Sequence, residues 1–241
     1  MLEDIVPIIF IALISGFIHG LSGFGSVLIS LPLLTFFFDI HTIVPLISIQ
    51  ALCINFSLFF KLRKSVKKRE LNFFIISAIP GIFIGIYIFR KVPSEILKMV
   101  IGAIIMSFSL YLLLNRSFKK DLGGIWAVIA GFLAGILGGS IGANGPPVII
   151  YSAIQNWTKD QVKSTITSFL FFAGLMTVFL QMYYGYITYK VLVLFSVSIP
   201  SLATGMIIGS LFYKFMNDRF YDIAIRVLLL FLGLTSIILN L

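Results

Sequence analysis

Charges and turn residues divide this 241-residue chain into eight long apolar runs, and that division constrains the fold more than any motif does. The runs are 5–38, 43–60, 71–89, 94–114, 123–155, 165–184, 187–213 and 221–240. A helix rises about 1.5 Å per residue, so about 20 apolar residues cross the roughly 30 Å of hydrocarbon in a bilayer. The runs therefore predict an all-α polytopic membrane protein. Composition excludes the soluble alternatives. Only 11% of residues are charged and 59% are apolar, whereas about a quarter of a soluble domain is charged. A soluble enzyme, a nucleic-acid-binding domain and a disordered chain are all ruled out. The net charge of +9 comes from Lys and Arg in short loops, which is the positive-inside bias rather than a nucleic-acid footprint. Residues 1–4 lack a basic leader and the first run is too long for a cleaved signal, so it is expected to be retained. Cys53 stands alone and no Cys/His cluster has metal spacing, so no metal and no cofactor are expected.

Runs one and five are anomalous. They are too long for one crossing, too short for two, and each has a glycine-rich centre. The first reads His19-Gly20-Leu21-Ser22-Gly23-Phe24-Gly25-Ser26, and the second runs from Gly135 through Gly138-Gly139-Ser140-Ile141-Gly142-Ala143-Asn144-Gly145 to Pro146-Pro147. Such glycine density breaks a helix. Each run is expected to be two half-helices meeting at an irregular tip near the midplane, where only protein or a wet cavity can satisfy the backbone.

The halves repeat. At an offset of 115, Ile14, Gly16, Phe17, Gly20, Gly23 and Pro32 fall on Ile129, Gly131, Phe132, Gly135, Gly138 and Pro147. Pro80 with Gly85 reappears as Pro200 with Gly205. Residues 1–118 form one repeat and 119–241 the other, within one integral membrane domain. Charge sets their relation. If every run crosses once, the basic residues divide ten against eight. If runs one and five are re-entrant, loops 61–70, 115–122, 156–164 and 214–226 share one side with 14 Lys and Arg, leaving four opposite. The positive-inside rule prefers the second arrangement. The repeats are then inverted, each a re-entrant broken hairpin plus three crossings, with both termini outside.

A half-helix N-terminus offers unpaired N–H groups and partial positive charge, which suits an anion. The expected binding residues are Ser22, Gly23, Gly25 and Ser26 at one tip, and Gly138, Gly139, Ser140, Gly142, Asn144 and Gly145 at the other. Every carboxylate falls in a loop or at the end of a run, and none sits mid-membrane, where cation and proton carriers usually keep one. His19 precedes the first tip and is a candidate for proton coupling, or else a neutral residue that fixes the tip. Gln50, Asn55, Ser168 and Gln181 lie inside ordinary runs and either line the path or join helices.

The stretch Gly20-Leu21-Ser22-Gly23-Phe24-Gly25-Ser26 with Pro32-Leu33 resembles the first motif of the TauE/SafE sulfite exporter family. The stretch from Gly138 to Pro147 is similar to its second motif. Gly23-Phe24-Gly25 stands where many members have a denser glycine run. The resemblance covers the whole chain. It implies a multi-pass permease of the cytoplasmic (inner) membrane of bacteria or archaea, linked to sulfite, sulfoacetate or related organic anions. The sulfur comes from the resemblance alone, because the residues do not separate a sulfonate from a carboxylate.

The expectation is a secondary transporter of a small sulfur-containing or organic anion, working by alternating access. Its partners are the anion and the lipid bilayer, and no nucleic acid. No phosphate loop for ATP is present. An anion channel of the same fold and a cation-coupled carboxylate transporter are the alternatives. A membrane enzyme is disfavoured because neither histidine has a carboxylate at useful spacing.

Overall fold

A computed structural model of the chain describes residues 2–93, 96, 97, 103 and 121–217. Run 94–114 apart from residues 96, 97 and 103, run 221–240, and the boundary between residues 118 and 119 lie outside the described residues. The described helices are α1 (Leu2–Ser22), α2 (Ser26–Leu34), α3 (Ile40–Leu62), α4 (Lys68–Lys91), α5 (Gly124–Ile141), α6 (Pro146–Ile154), α7 (Lys159–Tyr183) and α8 (Tyr189–Lys214), with a 3-10 turn at Arg63–Ser65. No strand occurs among the described residues. Six of these helices, α1, α3, α4, α5, α7 and α8, are long and apolar enough to cross a membrane.

The starts of the long helices follow from local chemistry. The Asp39 carboxylate accepts from the His41 N–H at 2.8 Å, capping α3. Thr158 and Gln161 form a reciprocal capping box at the start of α7. That box places the start of α7 six residues before the apolar run begins at 165, so residues 159–164 are helix rather than loop.

Both long runs break where expected. The first breaks over Gly23-Phe24-Gly25, with φ of 86° at Gly23 and 99° at Gly25. The second breaks over Gly142–Gly145, with φ of 75° at Gly142. L-residues seldom adopt these angles, so glycine is what lets the chain turn there. The arms are unequal, which differs from the expected pair of half-helices. α1 and α5 have 21 and 18 residues, while α2 and α6 have nine each.

Packing is dominated by two helix pairs, α1 with α8 and α4 with α5. Both are parallel and both are built on glycine. A Cβ at Gly16, Gly20, Gly205 or Gly209 would collide with the carbonyl of Leu202, Met206, Leu13 or Phe17 respectively. A Cβ at Gly135, Gly139, Gly81 or Gly85 would collide with the carbonyl of Ala78, Ile82, Phe132 or Ile136. Lipid tails are as apolar as leucine, so close backbone approach replaces the hydrophobic drive between such helices. The second set reproduces the first with α5 lying 119 residues after α1 and α8 lying 124 after α4. The sequence offset of 115 is therefore one helical turn short of the packing register. Between the two pairs, α3 and α7 run antiparallel. Gln181 Nε2 donates to Ser48 Oγ at 3.2 Å, Phe59 stacks on Phe171 at 5.1 Å, and the Lys67 N–H donates to Thr165 Oγ1 at 3.0 Å.

Candidate functional site

The two breaks meet. His19, Phe24, Gly25 and Ser26 from the first face Gly142, Asn144, Gly145 and Pro146 from the second across one small cavity. Its remaining wall includes Ser48 and Asn55 from α3 and Gly174 and Thr177 from α7, all near mid-length of those helices. The cavity holds about 30 Å³, room for a water or two.

At the first tip the side-chain order is well defined. His19 is 2% exposed. Its Nδ1 lies 2.6 Å from Ser26 Oγ and its Nε2 lies 3.1 Å from Asn55 Oδ1. Asn55 Nδ2 donates to the Ala51 carbonyl at 2.8 Å, which fixes the orientation of that amide. Asn55 therefore presents its oxygen to the ring, and His19 Nε2 must carry the hydrogen. The N–H groups of Ser26, Val27 and Leu28 occupy the first turn of α2, where a helix has no internal acceptor for them.

The second tip is a poorer donor. Pro146 and Pro147 open α6 and carry no N–H, so the first helical amide there belongs to Val148. Asn144 is 7% exposed and its Oδ1 has no partner among the described residues. Thr177 is fully buried, and its Oγ1 is likewise unpartnered.

Of the residues expected at the site, Gly25, Ser26, Gly142, Asn144, Gly145, His19 and Asn55 line the cavity. The others stand elsewhere for identifiable reasons. Ser22 Oγ serves its own turn, with Ile18 O and Phe24 O as acceptors. Gly23 faces Lys163 and Thr167. Gly138 makes room for Asn144, and Gly139 packs on α4. Ser140 Oγ and Ser168 Oγ each donate to the carbonyl four residues back in their own helix. Gln50 Nε2 donates to Ser198 Oγ at 2.7 Å, joining α3 to α8. Gln181 bonds Ser48 from outside the wall.

Sequence reasoning missed Ser48, Thr177 and, above all, Lys163. Lys163 is 1% exposed. Its Nζ donates to the carbonyls of Gly20 at 2.7 Å and Leu21 at 3.1 Å, and sits 3.4 Å from the Tyr213 ring centroid. Tyr213 in turn donates to Asp160 Oδ1 at 2.6 Å. A cation at the C-terminal end of α1 satisfies orphan carbonyls and complements the helix dipole. The Thr158–Gln161 box was the signal that would have placed Lys163 on a helix.

The sulfite exporter TauE/SafE family model matches residues 8–236, nearly the whole chain. The chain belongs to the TauE/SafE family. No curated protein and no solved structure matches it significantly. TauE/SafE proteins are membrane transporters rather than enzymes, which agrees with the six apolar helices of this member and makes it a multi-pass membrane protein. Among the described residues of this TauE/SafE chain no group of His, Cys, Asp or Glu could hold a metal.

Proposed function

We propose that the chain is a secondary transporter that moves a small sulfur-containing or organic anion, such as sulfite or a sulfonate like sulfoacetate, by alternating access around this cavity. The observation that carries the reading is that two helix breaks, far apart in sequence, line the same space near the middle of α3 and α7. Irregular backbone inside a membrane is costly and is kept where it lines a substrate path. The anion would be held chiefly by the first turn of α2 and by Ser26, with Asn144, Gly145, Ser48 and Thr177 opposite. Family membership supports the sulfur-containing class.

The paired packing supports inverted repeats. α1 lies on α8 as α5 lies on α4, and the equivalent helices α3 and α7 are antiparallel, so an axis relating them would run across their length. With the charge asymmetry of the loops, this favours re-entrant α1–α2 and α5–α6 segments in the cytoplasmic membrane of a prokaryote. The cavity is smaller than such an anion, which suits an occluded carrier better than an open channel.

Proteoliposomes loaded with unlabelled sulfoacetate test the reading. Saturable uptake of labelled sulfoacetate, accelerated by the internal pool and inhibited by sulfite, is the expected result. Uptake that rises linearly with concentration and ignores the internal pool would indicate a channel. Absence of uptake of sulfoacetate, sulfite and short carboxylates by folded protein would remove the anion reading.

A further inference from the structure

We propose that His19 and Ser26 form a proton-operated donor switch that ties anion binding at the first turn of α2 to uptake of a proton. The inference deepens the anion reading above and rests on it. The geometry leaves each partner one role at a time. Asn55 holds the hydrogen of the neutral ring on Nε2, so Nδ1 is an acceptor. At 2.6 Å, the hydrogen between Nδ1 and Ser26 Oγ must then be the serine's own. Ser26 spends its only hydrogen on the ring and turns lone pairs toward the cavity, where they repel an anion.

Protonation reverses this. The added proton sits on Nδ1, and Nδ1–H now donates to Ser26 Oγ. The serine hydrogen is released and rotates toward the cavity, beside the amides of Ser26, Val27 and Leu28. One proton from water thus converts Ser26 from a repelling acceptor to a binding donor. It also places a positive charge one side chain from the anion. The only covalent change is the new Nδ1–H bond, made with a proton that solvent gives up; the Ser26 O–H bond is kept and only hydrogen bonds rearrange.

Two further observations mark the cavity as a ligand site rather than a bare helix terminus. Thr177 is fully buried and lines the same space, and its Oγ1 lacks a partner among the described residues. Asn144 lines it from the other tip, with Oδ1 unpartnered. The charged neighbours reinforce the coupling. On α7, Lys163 caps the carbonyls immediately after His19 and opposes a second positive charge while the cavity is empty. Asp160 of α7 is engaged by Tyr213 of α8, the titratable group that α8 brings to Lys163. α2 contributes no titratable group, and Cys53 of α3 lines a separate apolar groove. An anion therefore supplies the charge that lets His19 keep its proton.

The test is binding of methanesulfonate to the full-length protein in detergent across the neutral pH range, because that anion stays ionised throughout. Proton exchange is read from a weakly buffered solution. We expect proton uptake on binding, and an affinity that falls about tenfold per pH unit once free His19 is neutral. His19→Gln should bind with a flat pH response and no proton uptake. Ser26→Ala, which keeps the ring and loses the switched hydroxyl, should bind more weakly with a shallower pH response. Unchanged thermal unfolding identifies variants that fold. A flat pH response in the unsubstituted protein, or a steep one retained in His19→Gln, would overturn the switch while leaving the anion site standing. No binding of methanesulfonate, sulfate or sulfite at any pH would overturn the anion reading and the switch together.

Discussion

Lys163 Nζ donates to the Gly20 carbonyl at 2.7 Å, joining residues 143 positions apart at the point where α1 ends. The contact pins the first tip to α7. Gly20 O also lies 3.4 Å from Ser210 Oγ, whereas the Leu21 carbonyl takes its bond from Lys163. Removing the amine strands the Leu21 carbonyl, a cost of about 1–3 kcal/mol for a buried acceptor. It also removes a buried charge, which offsets part of that loss. Lys163→Met should therefore lower the thermal midpoint in detergent measurably without preventing folding. Lys163→Met with Ser210→Ala should lose more than the sum of the two single variants, since Gly20 O then lacks both donors. Strict additivity in the double variant would show that the two donors do not share the carbonyl.

Asn144 and Gly138 make a second, steric pair. The Asn144 amide oxygen occupies the volume that a side chain at Gly138 would fill. Gly138→Ala should push Asn144 out of place, costing about 1–3 kcal/mol for overpacking and reducing transport. Asn144→Ala alone opens space, and Gly138→Ala should then be tolerated. A double variant more stable than Gly138→Ala, measured by thermal unfolding, is the expected sign of this coupling.

The breaks themselves were legible because glycine at high density leaves a helix few alternatives, and the structure turns at Gly23, Gly25 and Gly142. The register between the halves was not. Gly16 and Gly20 on one side, and Gly131, Gly135 and Gly139 on the other, repeat every four residues. A slide of one turn superimposes glycine on glycine either way, and only the partners Leu202 and Ala78 separate the two. Site residues were legible in part for a related reason. Ser22, Ser140 and Ser168 look like donors in sequence, but within a helix or its end a serine hydroxyl readily bonds its own backbone. Lys163 is obscured in the sequence because charge ordinarily marks a loop in such a chain, whereas here it is buried against helix-end carbonyls and an aromatic face.

Glycines in this fold divide by what they touch, which yields a contrast within one protein. Gly209 packs against the Phe17 carbonyl, and any Cβ there meets backbone that cannot move aside. Among the described residues, a Cβ at Gly174, on the cavity wall, would have only Leu52 Cδ1 within 4 Å, at 3.7 Å. Gly209→Ala should separate α1 from α8 and depress the yield of monodisperse protein. Gly174→Ala should fold normally, because alanine gains helix propensity of up to about 1 kcal/mol over glycine, and should alter transport only by narrowing the cavity. Equal loss of folded protein in both variants would contradict this division.

Topology supplies the most direct check on the inverted arrangement. With re-entrant broken segments, the connection at Phe37 shares a face with the turn at Gly185, while Lys64 shares the other with Asn156. If each broken segment crossed completely, Phe37 would pair with Asn156 and Lys64 with Gly185. The four positions lie between or at the ends of described helices. Single cysteines at each, in a Cys53→Ala background, should be labelled by an impermeant maleimide from the outer face at 37 and 185 and protected at 64 and 156. The inner face is expected for the Lys64 connection because basic residues cluster around it and the positive-inside rule favours that side. Labelling of 37 together with 156 would make the halves parallel. The cavity between the tips would then need a different account, because two parallel repeats would not bring equivalent helices such as α3 and α7 together antiparallel.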